Sequence, residues 1–166
     1  MATVLKNLSD YDINSLPSAK GMKVGIVVAE WNSEITFAMC EGAKNLLIKN
    51  GAVESDITIH PVPGSFELIS GSKMVADNCN VDAVIALGTV IQGETRHFDF
   101  ICEAVAVGLG NLNIQYNIPF IFGVLTTDNL QQAKDRSGGK HGNKGDEAAF
   151  TAIKMIALNK KLKVKN

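Results

Sequence analysis

Short apolar runs alternate with segments of helical periodicity along this chain, and this alternation limits its fold more than any other feature. The first run, Lys23–Glu30, is continuous and rich in β-branched residues, as is typical of a strand buried on both faces. From Ser33 onward, apolar residues recur at helical spacing. Three later runs repeat the pattern: Asp56–Pro61, Val81–Ile91 and Pro119–Leu125. Each run is therefore predicted to be a strand that is followed by a helix.

The predicted helix starts rest on capping residues. Ser33 and Asp128 are expected to cap helices, and the helix after the second strand is expected to open at Ser65. Strands that alternate with helices predict βαβ crossovers. The predicted fold class is therefore α/β, a single-domain three-layer α/β/α sandwich with a mainly parallel, flavodoxin-like sheet. In such sheets ligands bind beyond the carboxyl ends of the strands, so the loops after the strands are the places to search.

Composition narrows the classes of function. Of 166 residues, 46% are hydrophobic and only 20% are charged, which leaves little polar surface. The formal net charge of −1 argues against a nucleic-acid binder and against a polybasic membrane anchor. The apolar runs are far shorter than the ~20 residues that a membrane-spanning helix needs. The apolar surplus therefore predicts a homo-oligomer whose subunits cover surface on one another.

Cysteine usage and the N-terminal residues predict a cytoplasmic location. Cys40, Cys79 and Cys102 are scattered along the chain and show no metal-type spacing. The first twenty residues lack the basic start and apolar middle of a signal peptide.

Aromatic and acidic residues follow the first two predicted strands. Trp31 is the only tryptophan, and its position in a strand-end loop favours a stacking platform for a flat heterocycle over a core anchor. In Pro63–Glu67, Glu67 lies at a predicted helix start. Taken alone, that pattern is typical of a turn and a helix cap. Glu67 could instead hydrogen-bond a ligand, with Phe66 packed on the ligand's ring.

The stretch from Val90 to Phe100 carries the strongest chemical signal. A strand ends at Gly93, and backbone N–H groups near Glu94 and Thr95 would face outward at the positive end of the next helix, as in anion sites. His97 lies in the first turn of that helix, and imidazole is the side chain that most often transfers protons in catalysis. This pairing suits proton transfer on a phosphorylated substrate. The alternative, a half-buried polar residue at a helix start, stays open.

Arginine is rare in this chain, and both arginines adjoin loop motifs. Arg96 lies in the stretch just described, and Arg136 opens the glycine-rich and basic segment Arg136–Gly145. Arginine recognises phosphate with two parallel hydrogen bonds, which lysine cannot do. The segment is not a nucleotide-binding P-loop, because the glycine spacing fails and no strand precedes it. A solvated linker is the alternative interpretation.

Four blocks, taken together, resemble the 6,7-dimethyl-8-ribityllumazine synthase family. They are Gly64–Glu67, Gly88–Asp99, Phe122–Thr127 and Arg136–Gly145, and they occur in the order and spacing of that family. The likeness spans Lys23 to about Leu158. Any one block would be weak evidence, whereas their joint occurrence is specific.

The resemblance implies a transferase of riboflavin biosynthesis, acting at the penultimate step. The family condenses 5-amino-6-(D-ribitylamino)uracil with 3,4-dihydroxy-2-butanone 4-phosphate, giving 6,7-dimethyl-8-ribityllumazine, phosphate and water. The amine of the substrate is the nucleophile, so no cofactor and no metal is implied. His97 matches the catalytic residue that transfers protons. The implied contacts to ribitylaminouracil are Trp31, Asn32, Ser65, Phe66, Glu67, Thr89, Val90, Ile91 and Phe122. The implied contacts to the butanone phosphate are Gly93, Glu94, Thr95, Arg136 and Lys144.

The resemblance also implies an assembly. Phe122 and Arg136 match positions that a neighbouring subunit lends to the site, so active sites are expected between adjacent subunits of a homo-oligomer. Family members form pentamers, and the short link 138–143 favours an icosahedral shell built from them. Residues 23–166 would form the synthase domain, and residues 1–22 an N-terminal extension that packs on a neighbouring subunit. An enclosed or associated riboflavin synthase is a further expected partner, whereas nucleic acid and membrane are not.

Three other classes compete with this interpretation. A flavin carrier would need a phosphate loop after the first strand, and none is present. A phospho-receiver domain would need an aspartate at the end of the third strand, where Gly88-Thr89 stands instead. A shell protein without catalysis would not need His97 and Arg136.

Overall fold

The computed structural model describes residues 15–163, and its main feature is a four-stranded sheet in which every pairing is parallel. The strands are β1 (Val24–Ala29), β2 (Ile57–Val62), β3 (Ala83–Ile91) and β4 (Phe120–Thr127). Their spatial order is β2-β1-β3-β4, so β1 and β3 are central and the other two are edge strands. The predicted α/β class with a parallel sheet is confirmed.

Five α-helices connect or follow these strands in the described part of the chain. They are α1 (Ser33–Lys49), α2 (Leu68–Asn78), α3 (His97–Gln115), α4 (Leu130–Asp135) and α5 (Lys144–Lys163). A short 3-10 turn, Glu54–Asp56, precedes β2. Among residues 15–163, none of the helices combines the length and the apolar character that crossing a membrane requires.

The central strand β1 explains why there are three layers. Val24, Ile26 and Val28 point into a core shared with α1 and α5, whereas Val27 and Ala29 point into a second core shared with α2 and α3. All six residues of the strand are buried. Because successive strand side chains point to opposite faces, a continuous apolar run needs apolar cover on both sides. The helices supply that cover.

Three predicted helix starts differ from the structure. Helix α1 is capped by Asn32 and not by Ser33, which is its first helical residue. Helix α4 is capped by Asn129 and not by Asp128, because the Asn129 side chain accepts a hydrogen bond from the Gln132 backbone N–H at 3.0 Å. Helix α2 begins at Leu68 and not at Ser65. Residues 65–67 form a turn instead, in which the Leu68 N–H donates to the Ser65 carbonyl.

The glycine-rich segment is structured and is not a solvated linker. Ser137–Gly139 (β5) and Gly142–Asn143 (β6) form a small antiparallel hairpin before α5. The side chain of Asn143 fixes this hairpin to α1, since its amide donates to the Ala38 carbonyl at 3.0 Å. Its oxygen accepts from the Gly145 N–H at 2.8 Å and so supports the start of α5.

The segment before β1 is described only from residue 15. Ala19 and Met22 are buried in the core shared with α1 and α5, and the Ala19 N–H donates to the Asn50 carbonyl at 2.8 Å. Residues 1–14 lie outside the described residues. The prediction that residues 1–22 form an extension packing on a neighbouring subunit, followed by a domain from residue 23, therefore stays a prediction.

Helices α1 and α5 touch so closely that glycine is required at Gly145. A Cβ atom added there would overlap the backbone carbonyl of Met39. Because the obstacle is backbone, it cannot move aside as the end of a flexible side chain could.

We expect Gly145→Ala to destabilise the protein by about 3 kcal/mol or more, the upper range for overpacking a core. Glu41→Ala is the control, since Glu41 is an exposed residue in the interior of α1. Alanine there should leave the stability nearly unchanged, because glutamate and alanine are both good helix formers. Urea unfolding of the two variants measures the difference. Equal stabilities would contradict the close contact.

Candidate active site

A cleft of about 550 Å³ opens at the carboxyl ends of β1, β2 and β3, and we call it the strand-end cleft. It combines the loop after β1, the turn after β2, the end of β3 and the first turns of α3. Its lining residues are Trp31, Asn32, Gly64, Ser65, Phe66, Glu67, Thr89, Val90, Ile91, His97 and Ile101. The structure thus brings together, in one place, nine of the residues that the resemblance implies.

The two aromatic side chains of the strand-end cleft are exposed. Trp31 is 75% exposed and Phe66 is 52% exposed, so the indole does not anchor the core. The backbone of Trp31 is held in position, since the Trp31 N–H donates to the Pro63 carbonyl at 3.1 Å. This bond joins the loop after β1 to the turn after β2. Exposed flat rings held on a rigid backbone suit stacking against a planar ligand.

Thr89, at the end of β3, connects the walls of the strand-end cleft. Its carbonyl accepts from the Ser65 hydroxyl at 3.4 Å and from the Asn32 amide at 3.5 Å. Its own hydroxyl is buried and has no hydrogen-bond partner among the described residues. A buried polar group without a partner costs about 1–3 kcal/mol. The oxygen is enclosed by the protein, so a ligand in the cleft could reach it only if neighbouring atoms moved.

The loop between β3 and α3 adjoins the strand-end cleft, although none of its residues 92–96 is among the lining residues. Gly93, Glu94 and Thr95 are exposed there. The Thr95 hydroxyl accepts from the His97 backbone N–H at 3.4 Å, which partly caps the first turn of α3. His97 is also exposed and lines the cleft. The imidazole therefore lies at the positive end of a long helix, where an anion is favoured.

The remaining predicted residues lie elsewhere in the chain. Phe122 and Lys144 line a second cleft of about 360 Å³, which we call the edge cleft because it lies where edge strand β4 meets α5. Its lining residues are Asn113, Pro119, Phe120, Ile121, Phe122, Lys144, Glu147, Ala148, Thr151 and Met155. Neither Phe122 nor Arg136 lines the strand-end cleft. Within one chain, the predicted site residues therefore form two separate groups.

Arg136 and Lys144 both bind Glu147, and we call these three residues the Glu147 cluster. The guanidinium donates from Nη1 to Oε1 at 2.9 Å and from Nη2 to Oε2 at 3.3 Å, while Lys144 Nζ donates to Oε2 at 3.2 Å. Burial alone would raise the pKa of Glu147, but the hydrogen bonds and positive charges of Arg136 and Lys144 outweigh it and lower the pKa. The stability that Glu147 contributes is therefore present above its unfolded-state pKa and is lost as pH falls through the lower, folded-state pKa.

Several lining residues escaped the sequence analysis as site residues. Ile101 lies four residues after His97, one helical turn along the same face, so helical spacing could have identified it. Gly64 has no side chain, so its sequence pattern indicates a turn and not a lining residue. Glu147 lies three residues after Lys144, but only the folded hairpin brings Arg136 to it. Among residues 15–163, no three His, Cys, Asp or Glu side chains are grouped as metal ligands would be.

Comparisons with known proteins identify the family. A family model described as 6,7-dimethyl-8-ribityllumazine synthase matches residues 21–160. The chain belongs to this family. A relative with that name from Parabacteroides distasonis is 56% identical over 156 residues, covering 94% of this chain and 98% of the relative. One from Cytophaga hutchinsonii is 57% identical over 157 residues, covering 95% and 98%. One from Phocaeicola vulgatus is 52% identical over 162 residues, covering 98% and 96%.

Membership confirms the resemblance that the four blocks carry and the prediction that the chain is an enzyme. It supports the expected role in riboflavin biosynthesis. The family also implies oligomeric assembly in general.

Asn32 is strained in a way that an alanine and a glycine variant can reveal. It has φ 60° and ψ 45°, in the left-handed region that favours glycine. Both variants lose the side-chain amide, so their difference isolates the backbone. We expect Asn32→Ala to be less stable than Asn32→Gly by about 1 kcal/mol in urea unfolding. Equal stability would contradict the left-handed conformation.

Proposed function

We propose that this chain condenses 5-amino-6-(D-ribitylamino)uracil with 3,4-dihydroxy-2-butanone 4-phosphate to give 6,7-dimethyl-8-ribityllumazine, phosphate and water. The observation that carries the proposal is the strand-end cleft, in which an exposed indole and an imidazole at a helix N-terminus face the same space. The names of the relatives support the product.

Ribitylaminouracil would bind along the apolar side of the strand-end cleft. Trp31 would stack on the pyrimidine ring, while Asn32, Val90, Ile91 and Thr89 would contact its edge. The position of these residues in the lining of the strand-end cleft supports this assignment. The ribityl chain carries hydroxyl groups, which suit the polar turn of the cleft. Its proposed contacts are Ser65, Phe66 and Glu67.

The butanone phosphate would bind at the start of α3. The loop Gly93–Thr95 lies before the helix, and helix N-termini favour anions through the dipole and unpaired N–H groups. The reacting ketone would then lie close to His97. Arg136 and Lys144, as the remaining proposed phosphate contacts, would have to come from another subunit, because they lie at the Glu147 cluster.

The proposed reaction starts with the substrate's own amine. Attack of the 5-amino nitrogen on the ketone forms a C–N bond, and loss of the carbonyl oxygen as water gives an imine. A proton is then removed from the carbon next to the imine, and the phosphate leaves with the C–O bonding electrons. The resulting enol loses its hydroxyl proton and gains one on carbon, which gives a methyl ketone. The ribitylamino nitrogen closes the ring on the new carbonyl, and a second water is lost. His97 would move these protons, a contribution that is typically worth ~10²–10⁴-fold. Orientation of the two bound substrates would supply a further part of the rate.

We infer that complete sites form between subunits, where the strand-end cleft of one subunit meets the edge cleft of its neighbour. Phe122 is 39% exposed on the edge strand and available to a neighbour. Exposed Phe100, Val107 and Ile114 recur every seven residues along α3, as on a helix that packs against another.

We propose pentamers assembled into an icosahedral shell, which the compact hairpin at residues 137–143 supports. A cytoplasmic location and an associated riboflavin synthase stay predictions.

The direct test is to mix the chain with both substrates and follow the absorbance of the lumazine product. We expect product to form faster than in a reaction without protein. His97→Ala should lower kcat by about 10²-fold without abolishing it. His60→Ala is the matched control, since His60 lies on β2 outside both clefts, and its rate should be unchanged. No product at saturating substrates would refute the proposed function.

Sites shared between subunits can be tested by complementation. His97→Ala damages only the strand-end cleft, and Arg136→Ala damages only the Glu147 cluster. If the two variants are co-expressed and mix randomly in a symmetric ring, about a quarter of the sites pair two intact halves. We therefore expect the mixed oligomer to exceed the mean activity of the two separate variants. Activity no higher than that mean would show that each site lies within one subunit.

A further inference from the structure

The Glu147 cluster contains a carboxylate where the proposed function needs positive charge. Glu147 occupies both Nη atoms of Arg136 and the ammonium of Lys144, the two residues proposed to bind phosphate. An anion beside a phosphate repels it, so a phosphate site would be stronger without this carboxylate if charge alone mattered. Electrostatic attraction of the phosphate therefore does not explain why Glu147 is bound to both cations.

The orientation of the Arg136 side chain explains the presence of Glu147. The fork-to-fork pairing with Glu147 fixes the plane of the Arg136 guanidinium, and the His141 carbonyl accepts a further hydrogen bond from Nη1 at 2.9 Å. A guanidinium has five N–H donors, of which these bonds use three. Two donors of Arg136 remain, the Nε–H and the second Nη2 hydrogen. Neither makes a hydrogen bond to Glu147 or to the His141 carbonyl. Those two donors lie side by side and match two oxygens of a phosphate.

A backbone hydrogen bond holds Lys144 next to Arg136. The Lys144 N–H donates to the Arg136 carbonyl at 2.8 Å, so the two basic residues lie on adjacent ends of the hairpin. The side chains of Arg136 and Glu147 are 12% and 11% exposed, which limits their freedom to rearrange. One carboxylate against two cations leaves the cluster with a net charge of +1. The cluster is therefore both rigid and still attractive to an anion.

We propose that Glu147 is a positioning residue that holds Arg136 and Lys144 in a fixed orientation for the phosphate of the substrate bound to a neighbouring subunit. This inference rests on the proposed function, since it assigns Glu147 a part in that same site. Glu147 acts through the two cations and does not itself touch the phosphate.

The test is the effect of Glu147→Gln on the two Michaelis constants. We expect the KM for the butanone phosphate to rise about tenfold, comparable with the loss when a partner that orients a metal ligand is removed. The KM for ribitylaminouracil and kcat should stay within about twofold, because phosphate binding is shared by the ground and transition states. Glu54→Gln is the matched control. It removes the exposed ion pair of Glu54 with Lys44, outside both clefts, and should change neither constant.

Other outcomes would overturn the inference. A fall in the KM for the butanone phosphate would show that Glu147 only competes with phosphate. A lower melting temperature with both constants unchanged would show a purely structural role. If Glu147→Gln does not fold, Glu147→Asp serves instead. Its shorter side chain keeps the charge but cannot span both cations, so the same selective rise in KM is expected.

Binding of inorganic phosphate, followed by calorimetry on the assembled protein, separates this inference from the proposed function. If the wild-type chain binds phosphate but makes no lumazine, the proposed function fails. Weaker phosphate binding by Glu147→Gln would still support the positioning role in that case. Equal binding by the wild type and Glu147→Gln would overturn it.

Discussion

The parallel pairing of β1 with β3, buried between two apolar layers, determines where every other part of the strand-end cleft lies. Val28 pairs with Leu87, and β3 continues to Ile91, so the loop after β1 lies beside the last residues of β3. The Thr89 carbonyl then becomes a common acceptor for Asn32 and Ser65. A shift of one residue in this pairing would turn each side chain to the other face and separate these groups. The geometry of the cleft is thus a consequence of strand register.

The alternation of strands with helices and the position of the cleft could be predicted, because they depend on local apolar runs and on the general rule for parallel sheets. Trp31 and His97 were recognised for the same reason, since each directly follows a strand or starts a helix. Glu147 could not be recognised, because its role depends on a hairpin that brings Arg136 back to α5. The left-handed conformation of Asn32 could not be predicted either, because Asn32 and Ser33 are comparably good N-cap residues and the pattern does not decide between them.

The predicted site residues fall into two separate groups, and this gives a second reason for the high content of apolar residues. A chain whose chemistry were complete within one subunit would need oligomerisation only to cover apolar surface. Here Phe122 and the cations of the Glu147 cluster lie apart from Trp31 and His97 in the same chain. Covering the apolar surface and completing the proposed site would then be the same event. Assembly and catalysis would therefore be linked by a single interface.

The close contact at Gly145 joins the two groups of predicted site residues to the same pair of packed helices. Helix α1 begins two residues after Trp31 and, in its middle, touches the backbone that leads from the hairpin into α5. The loop that carries the indole and the segment that carries the cations are therefore attached to one stiff unit. In a closed ring, the spacing from one site to the next would then be a dimension of the subunit core. Loops could change in length or sequence without altering that dimension.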